Sequence, residues 1–532
     1  MKRLHRPVLE SVVRSPRRLP WGLLAVVGVG VAVVQSIAWS ASQLWVTPES
    51  AEYLTLAANI AGGLDFSHPY AQYRTPGYPL MLAGVFTVFQ ADSAAGLLFL
   101  QHALVAGCAL LTAGIAWTAW SHRGLTIVAG ILGAGSLHLI GYANAVSPVV
   151  LYAFAFTLCL FLLVRYHACG RVGALLGASV AAGVAGLTSP VGWILLPLCL
   201  ATGIHREART ARRREVRAPG GAGTFMGTVL AAMLPAAALM VPFWLHGQRA
   251  FGRFPPAVLC GTALFHRTVA VERLNTAQSP DLAELRKRFA QAKADGWIAA
   301  DAELADQAGR LADTIRMWQL TGGSVPEAMS AVTGAGWDLA LLNPLYVPKQ
   351  TFGHVTGSLL APDQAYLRQP NGERLPPLKP LAIYDFSAMD EASTQGFARY
   401  LVMHGRPGRA SATWAGFTQF YHTRFESRRG YLGLGGTPYA EWNFVLLLGV
   451  VLALLRRKRA IWCLLLIAAV GHLASSSFVH GALPRNAVAI HPILHVFAAL
   501  AVLEILRAAA AVPAILLFKW STRRSVNPRM VL

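Results

Sequence analysis

The chain has 532 residues, of which 55% are hydrophobic and only 13% are charged, whereas charged residues make up about a quarter of an ordinary soluble chain. This composition excludes a string of soluble domains and indicates a membrane protein. Six cysteines without paired short spacings exclude a disulfide scaffold and a four-cysteine zinc site. The net charge of +21 would suggest nucleic-acid binding in a soluble protein. In a membrane protein the same charge can reflect topology, and the positions of the basic residues distinguish the two explanations.

The apolar runs of the chain are long enough to predict about ten helices that cross a hydrocarbon layer of about 30 Å. They span residues 21–39, 94–117, 125–142, 149–164, 172–187, 191–203, 228–245, 444–455, 460–478 and 487–506. Residues 508–518 are an eleventh candidate, either a further span or an amphipathic segment at the membrane surface. The predicted fold class is therefore an all-α polytopic membrane protein with about ten to eleven transmembrane helices.

Basic residues cluster at alternate ends of these predicted helices. The arm before the first run is basic, and so are the segments 165–171, 206–217, 456–459 and 519–529. Since positive residues are retained in the cytoplasm, we expect a multi-pass protein of the inner (plasma) membrane with a cytoplasmic N-terminus. The first run is interpreted as a permanent helix rather than a signal peptide. The large net charge then reflects topology and contact with membrane lipids, and no nucleic-acid partner is expected.

This topology divides the chain into three predicted parts. Residues 1–246 form an N-terminal transmembrane module, which includes a first external loop at 40–92. Residues 247–441 form an external, periplasmic domain that is mainly helical and irregular. Residues 442–532 form a C-terminal transmembrane module with a basic tail.

The first external loop carries an unusually polar group for a membrane surface. Glu49 and Glu52 follow directly on the first apolar run, and Arg74 comes about twenty residues later beside tyrosines. Ionisable residues at such a position favour a functional site. The alternative is that the two carboxylates stabilise the N-terminus of a short interfacial helix that begins at Pro48.

Two motifs on the predicted outer side resemble those of a known superfamily. The first is an acidic residue with Ser-x-x-Tyr-x-x-Leu-Ala at 49–57, followed by Arg-Thr-Pro-Gly-Tyr-Pro at 74–79. The second, at 485–492, is Arg-Asn-Ala-Val-Ala-Ile-His-Pro. Together they resemble the bacterial GT-C membrane glycosyltransferases, relatives of the dolichyl-phosphate-mannose protein mannosyltransferases and of the lipid A aminoarabinose transferase. The resemblance covers most of the membrane portion and matches the external domain only loosely.

The resemblance implies an inverting glycosyltransferase that takes a sugar from a polyprenyl-phosphate donor and transfers it to a glycan, lipid or protein acceptor. The implied catalytic base is Glu49, with Glu52 as the alternative. Such a transfer needs cations around the departing phosphate and a carboxylate for the proton of the acceptor hydroxyl. Candidates for the phosphate are Arg74, Arg485 and Arg249, and candidates for the sugar or acceptor are Tyr53, Tyr78 and His491. No cofactor is implied with certainty, although some superfamily members use a divalent cation.

Several structural alternatives stay open for these residues. The arginines also suit anchoring to lipid headgroups, and tyrosines are common at bilayer interfaces. His491 and His495 have a spacing that suits either a metal ion or polar packing inside the bundle; we prefer packing and predict no metal ligands. Superfamily members most often have Asp in place of Glu49, and their second motif has Tyr and Pro where this chain has Asn486 and Ala489.

Two other functions compete with the transferase. A secondary transporter or lipid flippase would show duplicated halves and charged residues at mid-membrane, and the sequence shows neither an evident repeat nor a clear mid-membrane ion pair. A non-catalytic GT-C-like scaffold that binds a lipid-linked sugar would account for the departures from the two motifs.

Overall fold

The structure is a computed structural model, and it describes most of the membrane portion and part of the external domain. The described residues are 20–40, 44, 48–214, 222–271, 279–308, 311–342, 351, 440–455, 459–480 and 488–525. Every regular element within these ranges is a helix. Arg485 and most of the second half of the predicted external domain lie outside the described residues.

The N-terminal part contains ten α-helices in chain order. They are α1 (Trp21–Ser40), α2 (Pro48–Gly63), α3 (Gly77–Phe89), α4 (Ser93–Trp120), α5 (Arg123–Ala134), α6 (Leu137–Ala143), α7 (Val149–Cys169), α8 (Val172–Thr188), α9 (Leu195–Arg214) and α10 (Ala222–Phe251). Three short 3-10 helices connect some of them, at Pro69–Gln72, Gln90–Asp92 and Pro190–Ile194. Helix α10 continues past residue 246, where the sequence predicted a domain boundary.

The remaining described helices belong to two predicted parts of the chain, namely the external domain, whose helices are called the external helices, and the C-terminal module. The external domain has α11 (Pro255–Phe265), which continues as a π-helical segment (His266–Val271), and then α12 (Pro280–Ala294), α13 (Leu304–Ala308), α14 (Leu311–Leu320) and α15 (Val325–Leu342). The C-terminal module has α16 (Ala440–Leu454), α17 (Arg459–His480) and α18 (His491–Ser525).

Among the described residues, five helices are long and apolar enough to cross a membrane. They are α1, α4, α7, residues 225–251 of α10 and residues 491–509 of α18. Five shorter helices are also apolar: α3, α5, α8, residues 445–454 of α16 and residues 460–476 of α17. The chain is therefore a multi-pass membrane protein, while the predicted count of ten to eleven spans is not confirmed.

Local backbone features break two of the predicted helices. The run at 125–142 divides into α5 and α6, because the chain turns at Gly135 and Ser136, where Ser136 has φ −67° and ψ 97°. The run at 191–203 begins inside a 3-10 helix that Pro190 opens, and α9 follows only at Leu195. The predicted loop 40–92 contains α2 and α3, and α3 is apolar but only 13 residues long, which is short for a span.

One apolar core joins the two parts of the membrane module. Helix α7 packs on α4, α8 and α17, and α4 also packs on α18. The largest buried side chains of this core include Phe156, Trp462 and Phe497. In contrast, α1 exposes Val26 and Val29, as expected for a helix that faces lipid. Segments more than 300 residues apart in sequence therefore form a single bundle.

The external helices form a second core that includes part of the first loop. Phe265, Leu285, Trp318 and Val332 are buried together, and Tyr73 of the first loop is buried among the same side chains. The first loop therefore lies between the membrane bundle and the external helices, which positions its polar residues at their junction.

Candidate functional site

Helix α2 carries the two predicted carboxylates. It begins at Pro48, and its first turn is attached to the turn before α7, because the Ser50 hydroxyl donates to the Val146 carbonyl at 2.8 Å. Glu52 and Tyr53 are buried one turn further on. Glu49 lies in the first turn of α2, but its side chain lies outside the described part of the structure, so its role as the base stays a prediction.

Arg74 forms a largely buried ion pair with Glu52. Its Nε donates to Glu52 Oε2 at 2.5 Å, and the side chains are 20% and 11% exposed. Arg74 Nη1 also lies 3.5 Å from the Tyr53 hydroxyl, and the guanidinium carbon lies 5.2 Å from the ring centre of Tyr53 and 5.7 Å from that of Tyr73. The structure thus brings together three residues that the sequence predicted for the site, and the aromatic faces add cation–π attraction.

The Arg-Thr-Pro-Gly-Tyr-Pro motif has a structural explanation in its contact with the end of α8. The Thr75 hydroxyl donates to the Thr188 carbonyl at 2.8 Å. A Cβ at Gly77 would lie 2.7 Å from the carbonyl oxygen of Leu187, so only glycine fits there without movement of the backbone. These two contacts fix the segment that carries Arg74, immediately before α3 begins.

Tyr78, the fourth predicted residue of this group, lies beneath the ion pair. It is fully buried, and its ring meets the Tyr53 ring edge to face with 5.4 Å between the centres. Its hydroxyl donates to Gln101 Oε1 of α4 at 3.3 Å. Since it is buried under Tyr53, Tyr78 supports the site and does not present an open face for stacking on a sugar.

Tyr73 is a residue of this site that sequence reasoning missed. Burial raises the pKa of its phenol well above the usual value, and the nearby Glu52 carboxylate raises it further. The phenol therefore stays protonated. Among the described residues its buried hydroxyl has no hydrogen-bond partner. The motif itself contained no signal for this role, because the burial of Tyr73 depends on the external helices.

The other described candidates lie on other helices. Arg249 is exposed in the last turn of α10. His491 begins α18, where its ring centre lies 6.0 Å from that of His495. Their predicted roles stay predictions.

No metal centre is evident in the part of the chain that the structure describes. Within those residues, no three or more His, Cys, Asp or Glu side chains lie together as a metal ion would require. His472 instead pairs with Tyr152 of α7, with Nδ1 3.0 Å from the Tyr152 hydroxyl. The use of a divalent cation stays a prediction of the resemblance alone.

Comparison with known proteins finds only distant similarity. No family model matches the chain, and no curated protein matches it in sequence. Among solved structures, the archaeal oligosaccharyltransferase AglB from Archaeoglobus fulgidus, in complex with an inhibitory peptide and a dolichol-phosphate, is similar over 93% of this chain and 51% of its own, with 11% identity and a TM-score of 0.46. This chain thus spans about half the length of that protein.

Two further similar structures are bacterial. ArnT from Cupriavidus metallidurans, bound to undecaprenyl phosphate, has 14% identity and a TM-score of 0.32, with 89% of this chain and 78% of ArnT covered. The arabinosyltransferase EmbB from Mycobacterium smegmatis has 16% identity and a TM-score of 0.32, with 87% and 42% covered.

All three are GT-C superfamily membrane glycosyltransferases, the group that the two motifs resemble. At these identities and TM-scores, the likeness assigns no residue role and no substrate. Any function must therefore be argued from the residues of the site.

Proposed function

We propose that the protein is an inverting GT-C-type glycosyltransferase, which moves a sugar from a polyprenyl-phosphate donor to a cell-envelope acceptor at the outer face of the membrane. The observation that carries this proposal is the largely buried ion pair between Glu52 and Arg74, at the junction of the membrane bundle and the external helices. An ion pair removed from water contributes little net stability. Its burial beside the aromatic rings of Tyr53 and Tyr73 therefore favours a chemical role.

The proposed reaction makes one bond and breaks one. The acceptor hydroxyl loses its proton to a carboxylate of α2, and its oxygen attacks the anomeric carbon from the face opposite the phosphate. The bond between that carbon and the phosphate oxygen breaks, the electron pair stays on the oxygen, and the lipid phosphate leaves as an anion. This mechanism requires a carboxylate and a cation on opposite sides of the sugar.

The ion pair suggests different roles for the two glutamates. A guanidinium has five N–H donors in one plane, so an arginine oriented by a carboxylate can still bind phosphate oxygens. In the proposal, Glu52 orients Arg74 toward the donor phosphate. Glu49, one turn earlier on α2, is then the base for the acceptor hydroxyl, as the resemblance implied.

The test measures sugar transfer by purified protein from a panel of polyprenyl-phosphate-linked sugars to acceptors in delipidated envelope extract. Glu49→Gln should lower kcat by about 10²- to 10⁴-fold, the usual contribution of a general base, with little change in KM for the donor. Glu52→Gln should raise the donor KM as well, because Arg74 loses its orienting partner. The double variant should be inactive.

Glu284→Gln is the matched control, since Glu284 also pairs with an arginine but is 40% exposed on α12. It should retain activity within about twofold, as expected for an exposed pair. Full activity of the double variant would contradict the assignment of the site. Donor flux into proteoliposomes without a covalent product would favour the flippase, and donor binding without turnover would favour the non-catalytic scaffold.

A further inference from the structure

A buried amide on α4 is linked, through its hydrogen-bond partners, to both segments that bear the proposed catalytic groups. Gln101 is fully buried, roughly 12 Å along the helix from Ser93 at 1.5 Å per residue. Its Nε2 donates to two backbone carbonyls, of Ala143 at 2.9 Å and of Ala145 at 3.1 Å. Its Oε1 accepts the hydrogen bond of the Tyr78 hydroxyl. All of its strong hydrogen-bonding groups are therefore used.

The first two hydrogen bonds lead to the helix that bears the carboxylates. Ala143 ends α6 and Ala145 lies in the turn between α6 and α7, and the next carbonyl in that turn, of Val146, accepts the hydrogen bond of Ser50 in α2. The position of the first turn of α2 thus depends on this turn. Since the turn is not part of a helix at Ala145, its shape depends on the side chain that binds its carbonyls.

The third hydrogen bond leads to the arginine. Tyr78 contacts the ring of Tyr53 edge to face, and Tyr53 lies against the guanidinium of Arg74. Tyr78 also follows directly on Gly77, whose close contact with α8 fixes the Arg74 segment. One side chain of α4 is consequently connected to the cation through Tyr78 and to the carboxylates through the turn.

We infer that Gln101 is a positioning residue, which sets the distance between the α2 carboxylates and Arg74. This inference rests on the proposed transferase function, and it assigns Gln101 no contact with substrate. A separation that is wrong by about 1 Å can lower the rate about 10²-fold, so a single buried amide that is hydrogen-bonded to Tyr78 and to the turn that holds α2 can control turnover.

The test compares Gln101→Met with Gln35→Met. Methionine has nearly the volume of glutamine but makes no strong hydrogen bonds. Gln35, on α1, is also buried, and its Nε2 donates to the Ala134 carbonyl at 2.9 Å. Its Oε1 lies 2.9 Å from His102 Nδ1 of α4, and His102 Nε2 lies 3.1 Å from Asn144 Oδ1 of the same turn, so Gln35→Met leaves in place the two hydrogen bonds that Gln101 donates to the turn carbonyls. Both variants lose buried hydrogen bonds, so both should unfold at a lower temperature in detergent.

Only Gln101→Met should disturb the site. Hydrogen exchange of the amides at 50–56 should become about tenfold faster, since local opening loses two hydrogen bonds, and kcat should fall by about 10²-fold with the donor KM changed less than about threefold. Gln35→Met should change neither property by more than about twofold once activity is expressed per folded molecule.

The inference is wrong if exchange at 50–56 is unchanged in Gln101→Met, or if the two variants lose activity equally. Faster exchange with normal turnover would also overturn it. Failure of the proposed function is a separate result, because it appears as absence of sugar transfer by the wild-type protein, whereas the exchange measurement does not need activity.

Discussion

Two buried polar pairs in this molecule differ in the free energy that their burial costs. Glu52 and Arg74 form an ion pair between residues of one loop, surrounded by Tyr53 and Tyr73. Tyr152 and His472 form a hydrogen bond between α7 and α17, and the His472 ring lies 5.1 Å from the Phe156 ring, centre to centre. The first pair withdraws charge from water and the second does not.

This difference in cost indicates that the ion pair serves activity and that the neutral pair serves stability. Burial of two charges costs several kcal/mol per ion, which their attraction repays only with good geometry. A neutral hydrogen bond across two helices stabilises by about 1 kcal/mol and joins distant parts of the chain. We therefore expect loss of the ion pair to reduce activity most, and loss of the Tyr152–His472 pair to reduce stability alone.

The largest effect should follow from removal of the cation. Arg74→Met should lower kcat/KM for sugar transfer about 10³-fold, because the phosphate loses a preorganised positive group. Arg74→Lys should recover part of this loss, since lysine keeps the charge but lacks the planar pair of donors.

Arg288→Met is the matched control for this change. Arg288 is also 20% exposed, pairs with Glu284 and lies over the Trp318 ring at 4.4 Å, but it belongs to the external helices. Transfer per folded molecule should stay within about threefold of the wild type, as for other residues outside the reaction. Equal losses of sugar transfer in Arg74→Met and Arg288→Met would contradict the proposed role of the Glu52–Arg74 pair.

A smaller effect should follow from a change that moves the arginine segment without altering charge. Gly77→Ala should lower the free energy of unfolding by about 1–3 kcal/mol, the usual cost of overpacking, because its Cβ would meet the Leu187 carbonyl. Gly84→Ala in the same helix meets nothing within 4 Å and should be neutral or stabilising by up to about 1 kcal/mol. Thermal unfolding of both variants in detergent measures this contrast.

The Tyr152–His472 pair should respond in stability only. Tyr152→Phe should lower the free energy of unfolding by about 1 kcal/mol through loss of one buried hydrogen bond, and transfer per folded molecule should be unchanged. Denaturant unfolding and the transfer assay on the same preparation provide the measurement. A 10²-fold loss of turnover would mean that this pair belongs to the site as well.

The smallest effect on stability should follow from a change at Asp281 of α12, whose carboxylate lies near that of Asp338. Burial raises the pKa of Asp281, the charge of Asp338 raises it further, and Arg253 partly offsets both. The folded state then binds the proton more tightly than the unfolded state, so stability falls as the pH rises above the ordinary aspartate value of 3.8.

Asp281→Asn should therefore stabilise the protein at pH 7, by less than about 1 kcal/mol because solvent screens this partly exposed group. The gain should shrink as the pH falls below 4. Unfolding temperatures at pH 4 and pH 7 test the sign, and a gain that is larger at pH 4 would contradict it.

Much of the candidate site could be predicted from the sequence, because Glu52, Tyr53, Arg74 and Tyr78 lie within 27 residues of one another in a loop with strong local motifs. The break between α5 and α6 could not be predicted from the sequence, since the apolar pattern continues across Gly135. Gln101 interrupts an apolar span, which is a signal of a buried polar role, but its partners lie 42 and 44 residues away and no local pattern identifies them.

The sequence by itself determined that this is a helical membrane protein and which polar residues are grouped after its first helix, because hydrophobicity and charge act through composition and local spacing. Only the tertiary structure decided that Arg74 pairs with Glu52, that Tyr73 belongs to the external core, and that one amide of α4 is hydrogen-bonded both to Tyr78 and to the turn that holds α2. These relations depend on close packing between segments far apart in the chain, and such packing is a property of the assembled bundle.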